Sequence, residues 1–70
     1  MSQEEIYKIL EELGGEATSG QISRRAKEKY PNLSLYMYVA RRLQRLELYG
    51  VVKSEDKNRK TLWKIIDKYK

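Results

Sequence analysis

LYMYVARRLQRLELYGVV, residues 35–52, is the stretch of sequence that decides the fold. Four of its apolar residues fall within one narrow sector at about 100° per residue, which predicts an amphipathic helix over about 35–49. These inner residues are Leu35, Val39, Leu43 and Leu46. The opposite sector contains two basic residues, Arg41 and Arg45, which lie one turn apart. Gly50 then ends the helix and Val51-Val52 begins a β-run, so the helix is predicted to lead directly into a strand.

A first helix is predicted upstream, over about residues 3–13, because apolar residues recur there at helical spacing. Its apolar stripe consists of Ile6, Ile9, Leu10 and Leu13. Gly14-Gly15 ends this helix, since glycine tolerates the left-handed conformation found past a helix C-terminus. Glu16-Ala17 then forms either an extended link or a minimal strand.

A second helix is predicted over about residues 19–29. Thr18 and Gln21 form a capping-box pattern at its start. Its buried pair is expected to be Ile22 and Ala26, which lie one turn apart. Tyr30-Pro31 stops the helix, because the residue before a proline avoids the helical conformation.

The last part of the chain predicts a β-hairpin over about residues 51–66. Its two β-runs are residues 51–54 and 61–66, and EDKNRK, residues 55–60, is a polar turn between them. Trp63 is expected to pack in a small core, and Tyr30, Tyr36 and Tyr49 are expected to border it. Three helices followed by a hairpin predict an α+β fold, in a single domain over residues 1–70.

Composition excludes most catalytic chemistry. The 70 residues include neither cysteine nor histidine, so thiolate ligands, imidazole ligands and the commonest general base are absent. The carboxylates of the first helix are spaced as solvated surface groups. We therefore expect no enzyme activity, no cofactor and no metal. No apolar run has the length of a membrane span, so a soluble, cytoplasmic protein without a membrane partner is expected.

Charge is divided unevenly along the chain, whose net charge is +5. Residues 1–16 carry five acids and one base, whereas residues 17–70 carry fourteen bases and five acids. An acidic side facing water and a basic side facing a polyanion would explain this division. The alternative is a solvated surface of uneven charge.

Three segments together resemble the winged helix-turn-helix family of DNA-binding domains, common in archaeal and bacterial transcription regulators. They are TSGQISRRA (18–26), VARRLQRLELYGVV (39–52) and VVKSEDKNRKTLWKI (51–65). The resemblance implies that the third helix enters the major groove of double-stranded DNA. It also implies that the hairpin, the wing, lies along the phosphate backbone or the minor groove.

Roles for individual residues follow from the same resemblance. Base-edge contacts are expected from the outer, N-terminal half of the third helix, at Ser34, Met37, Tyr38, Arg41 and, at the edge of that face, Arg42. Phosphate contacts are expected from Arg45, from Arg24 or Arg25 in the second helix, and from Lys57, Arg59 and Lys60 in the wing. An arginine fork on guanine discriminates between bases, whereas phosphate contacts supply affinity without sequence information.

Three functions remain open at this point. The first is a sequence-specific transcription regulator, nucleoid-associated if the source is prokaryotic. The second is a protein–protein interaction module that uses the bulky residues Met37, Tyr38 and Leu48. The third is a non-specific, architectural DNA binder. A monomer or a weak homodimer is expected in each case.

Overall fold

The computed structural model describes residues 3–31 and 36–69, and at residues 36 and 37 it describes the backbone alone. Within these residues the chain forms three helices and three strands. In chain order they are α1 (Gln3–Glu12), β1 (Glu16–Thr18), α2 (Ser19–Lys29), α3 (Tyr36–Leu48), β2 (Val52–Lys57) and β3 (Lys60–Ile65). None of the described helices combines the length and the apolar character needed to cross a bilayer. The structure is a small α+β fold, as the sequence predicts.

The three strands form one antiparallel sheet in which β3 lies between β1 and β2. Trp63 at the centre of β3 pairs with Ala17 of β1 on one side and with Ser54 of β2 on the other. The minimal strand that Glu16-Ala17 predicts is thereby confirmed as part of β1. Because β1 leads directly into α2, its pairing with β3 brings the start of α2 beside the hairpin.

The hairpin turn is shorter than the sequence suggested. The prediction of a polar turn over residues 55–60 is wrong, because both strands continue through it until only Asn58 and Arg59 connect them. These two residues have φ angles of 51° and 65°, the pair of positive values that defines a type I′ turn and matches the twist of a hairpin. A cross-strand ion pair supports the extension, since Lys64 Nζ lies 3.5 Å from Glu55 Oε1.

One hydrophobic core joins the helices to the sheet. Val39, Leu43 and Leu46 of α3 are at most 1% exposed, so the predicted inner stripe is confirmed for these three residues. Leu35, its fourth member, lies outside the described residues. The remaining buried residues are Ile6, Tyr7, Ile9, Leu10, Ala17, Ile22, Ala26, Val51, Val52 and Trp63. All three helices thus pack their predicted apolar faces into the same core.

Two predictions about aromatic side chains had opposite outcomes. Trp63 is buried as expected, and its indole N–H donates a 2.8 Å hydrogen bond to Ser19 Oγ, which ties β3 to the first turn of α2. Tyr49, by contrast, was expected at the border of the core and is 61% exposed. Gly50 turns the chain with a φ angle of 80°. This turn takes Val51 into the core and leaves the preceding tyrosine outside.

Polar contacts also hold α2 against α1. Glu12 Oε1 lies 2.5 Å from Lys29 Nζ, and Glu12 Oε2 lies 3.7 Å from Arg25 Nε. The hydrogen bond from Lys29, together with the charges of Lys29 and Arg25, holds the pKa of Glu12 below its ordinary value of 4.5. A second hydrogen bond is donated by the Tyr30 hydroxyl to the Glu5 carboxylate, and it raises the pKa of that hydroxyl.

The lowered pKa of Glu12 predicts an acid-sensitive contribution to stability. A carboxylate with a lowered folded-state pKa stabilises the fold above its unfolded pKa, 4.5 here, and this contribution is lost as pH falls through the folded value. We expect Glu12→Gln to lower the free energy of unfolding at neutral pH and to have no effect in strong acid. Urea titrations between pH 2 and pH 7 would measure it. Glu11→Gln is the matched control, and equal pH profiles for the two variants would contradict the prediction.

Candidate nucleic-acid interface

The outer face of α3 is basic and accessible. Burial of Val39 and Leu43 on the inner side fixes the rotation of the helix and turns Arg41 and Arg45 to solvent. Tyr38 shares this face and is 46% exposed. Of the predicted base contacts, Ser34 lies outside the described residues, as does the side chain of Met37. Tyr38 and Arg41 have the predicted outward orientation.

Arg42 is held differently from its neighbour Arg41. Its guanidinium carbon lies 5.5 Å from the centre of the Tyr38 ring, one helical turn earlier, in a cation–π contact. Its Nε atom is buried and has no hydrogen-bond partner within the described residues. The arginine therefore lies at the boundary between the core and the outer face, beside the tyrosine ring.

A cleft of about 420 Å³ lies between the start of α2 and the tip of the wing. It is lined by Thr18, Ser19, Gly20, Gln21, Arg24, Arg59, Lys60 and Thr61. The β1–β3 ladder creates it by pairing Thr18 with Leu62. The Trp63–Ser19 hydrogen bond holds the same two segments together. Residues that are far apart in the sequence therefore share one concave surface.

The lining of this cleft suits an anion. It contains three cations, Arg24, Arg59 and Lys60, and no carboxylate. The N-terminus of α2 opens onto it, and helix N-termini carry a partial positive charge. This first turn is ordered by a full capping box, in which Thr18 Oγ1 accepts from the Gln21 backbone N–H at 3.2 Å. Phosphate and carboxylate groups are anions that such cationic side chains bind in proteins.

The structure separates the two arginines that the sequence left as alternatives. Arg24 lines the cleft. Arg25 instead lies 3.7 Å from Glu12 of α1 and 3.6 Å from Glu28, in a local ion-pair cluster. Lys57 is exposed and pairs with Lys60 at the last rung of the hairpin.

Several polar residues of this surface were missed by sequence reasoning. They are Thr18, Ser19, Gln21 and Thr61 of the cleft, together with Glu47 and Ser54. Thr18 and Gln21 were recognised only as helix-capping residues. Their relation to the wing depends on the β1–β3 pairing, for which the sequence has no local signal.

A carboxylate joins α3 to the wing. Glu47 Oε2 accepts hydrogen bonds from the backbone N–H of Ser54 at 3.0 Å and from its hydroxyl at 2.8 Å. Glu47 is the only acidic residue of α3, and these bonds turn its charge toward β2. They also occupy a backbone donor on the outer edge of the sheet, which discourages pairing with another strand. These bonds link the last turn of α3 to β2.

Of the three residues predicted for a protein-interaction surface, Tyr38 and Leu48 are exposed, and the side chain of Met37 lies outside the described residues. Tyr38 and Leu48 are ten residues apart, or about 15 Å along the axis of α3. Leu48 is 85% exposed, and the next residue, Tyr49, is 61% exposed. Ile66 is also exposed, and its backbone N–H donates a hydrogen bond to the carbonyl of Val51. Within the described residues, Leu48 and Tyr49 are thus exposed at the C-terminal end of α3, and Tyr38 is exposed nearer its start.

No group of three or more metal-ligating side chains occurs among residues 3–31 and 36–69. The described residues present a basic helix face, a basic wing and an acid-free cleft between the wing and α2. Comparison with protein-family models, with characterised proteins and with solved structures found no match to this chain.

Proposed function

We propose that this chain is a winged helix-turn-helix domain that binds double-stranded DNA. Three helices followed by the β2–β3 hairpin have the order on which the resemblance depends, and α3 leads into β2 through a link of only three residues. In this proposal α3 enters the major groove and the hairpin is the wing on the backbone. The proposal places the protein in the cytoplasm, associated with the nucleoid if the source is prokaryotic.

The observation that carries the proposal is the cleft between α2 and the wing. Two elements separated by more than thirty residues contribute cations to it, and no acid lines it. Solvation of an unevenly charged surface does not explain why Arg24, Arg59 and Lys60 line the same cleft. Binding of a phosphate group between α2 and the wing would explain it, since each neutralised phosphate releases counterions and so favours binding.

Sequence reading is assigned to the outer face of α3. Arg41 presents a planar fork that can grip the O6 and N7 acceptors of guanine, and Tyr38 lies on the same exposed face. Arg45, farther along the same face, is assigned to phosphate. Base-edge contacts by Ser34 and Met37 remain part of the proposal on the strength of the resemblance. These assignments favour a sequence-specific transcription regulator over an architectural protein.

Selection of bound sequences from a pool of random 20-base-pair duplexes tests this function. We expect enrichment of a common motif that contains at least one guanine contacted by α3. Equal affinities for unrelated duplexes would instead indicate an architectural protein. No binding to any duplex at low salt would refute DNA binding altogether.

A protein-interaction module is the second candidate, favoured by the strong exposure of Leu48, Tyr49 and Ile66. Exposed apolar groups of this size are typical of contact surfaces. The two functions use different ends of α3. Pull-down of a protein partner that is lost on Leu48→Ser, together with absence of DNA binding, would favour this alternative.

A further inference from the structure

We infer that Tyr38 is a positioning residue, whose ring holds Arg42 ready to bind a guanine base. The inference rests on the proposed DNA-binding function and assigns one element of its specificity. The two side chains are one helical turn apart on α3, and the guanidinium carbon lies 5.5 Å from the centre of the ring. The two side chains act together: Tyr38 positions the guanidinium group, and Arg42 contacts the guanine base.

The burial of Arg42 Nε determines which edge of the guanidinium can meet a base. Nε is buried and has no hydrogen-bond partner within the described part of the chain. A base therefore cannot use the side of the fork that contains Nε. Recognition falls to the two terminal nitrogens, Nη1 and Nη2, which can donate together to the O6 and N7 atoms of guanine.

The Tyr38 ring restricts the Arg42 side chain before it binds a base. A long, flexible arginine loses rotamer freedom when it binds a base, and this loss weakens binding. Contact with the ring restricts the side chain before DNA arrives. The ring face also attracts the cation, which offsets the unpaired Nε–H. Neither effect uses the tyrosine hydroxyl, so phenylalanine should replace tyrosine here without loss.

The test uses the duplex selected from the random pool and a set of variants of it in which each guanine is replaced in turn. Tyr38→Leu is expected to lower the preference for one guanine about tenfold, the order of magnitude of one bidentate base contact. Its affinity for an unrelated duplex should change less than about twofold, since phosphate contacts remain. Tyr38→Phe should retain the wild-type preference. Arg42→Lys should lose the same preference, because lysine has no planar fork.

The double variant Tyr38→Leu/Arg42→Lys provides the coupling test. If the tyrosine acts only through the arginine, the double variant should lose no more preference than Arg42→Lys alone. In the free protein, the Arg42 Nε–H resonance should be protected from exchange and shifted by the aromatic ring. This signal should persist in Tyr38→Phe and disappear in Tyr38→Leu, whose folding is checked in the same amide spectra.

Each remaining outcome refutes the inference. Unchanged guanine preference in Tyr38→Leu would show that the ring has no role in reading, although DNA binding would stand. Equal losses in Tyr38→Phe and Tyr38→Leu would assign the role to the hydroxyl. Binding without any guanine preference in the wild-type protein would also overturn it. Absence of duplex binding by the wild-type protein would refute the inference and the proposed function together.

Discussion

Replacement of both Arg24 and Arg59 by glutamine is expected to weaken binding to duplex DNA about 10- to 100-fold near 0.1 M salt. Both side chains line the cleft between α2 and the wing. If each neutralises one phosphate, their loss should reduce the slope of log K against log salt by about 0.9 per residue. The effect should be similar for all sequences, because phosphate contacts carry no sequence information.

Measurement of fluorescence anisotropy at several salt concentrations would check both the affinity and the slope. The matched control is Lys8→Gln/Lys68→Gln, which removes the same charge from a different surface, beside Tyr7 and Tyr69. This control should keep most of the affinity and nearly the wild-type slope. Equal weakening by both double variants would mean that net charge, rather than the cleft, determines binding.

Truncation of Leu43 to alanine is expected to destabilise the fold by about 2–5 kcal/mol, the usual cost of emptying a buried leucine site. Leu43 is 0% exposed and lies at the middle of the α3 inner stripe. A domain of this length has a total stability of about 4–10 kcal/mol, so the loss would remove much of it. The reason is geometric, since α3 packs against both other helices and β2.

Urea denaturation followed by tryptophan fluorescence would measure this loss, because Trp63 is buried in the same core. Leu48→Ala is the matched control at an 85% exposed position of the same helix. It should change the free energy of unfolding by less than about 0.5 kcal/mol. Similar values for the two variants would show that the inner and outer faces of α3 have been assigned incorrectly.

Periodicity predicted the helices and their buried faces because each signal is local. The inner stripe of α3 and the Thr18 capping box each lie within about three turns of chain, where spacing alone determines which side chains share a face. Trp63 was expected in the core because few other large side chains were available to fill it. These features follow from neighbouring residues, so one sequence suffices to predict them.

The cleft was not predictable, because it depends on contacts between distant parts of the chain. Strand β1 has only three residues, and its register with β3 has no local signal. The turn at Asn58 was also missed, since polar residues on both sides of it suggested a longer loop. The pairing of Arg25 with Glu12 likewise depends on how α1 packs against α2. Tertiary packing, rather than local propensity, decided each of these cases.

The most direct test of DNA binding through α3, α2 and the wing is a chemical-shift map of the ¹⁵N-labelled protein with the selected duplex at low salt. The proposed interface predicts the largest changes at the amides of Gly20, Arg41 and Lys60. The amides of Lys8 and Glu11 on the outer side of α1 should hardly change. Changes concentrated at α1, or no changes at any duplex concentration, would contradict the proposed function.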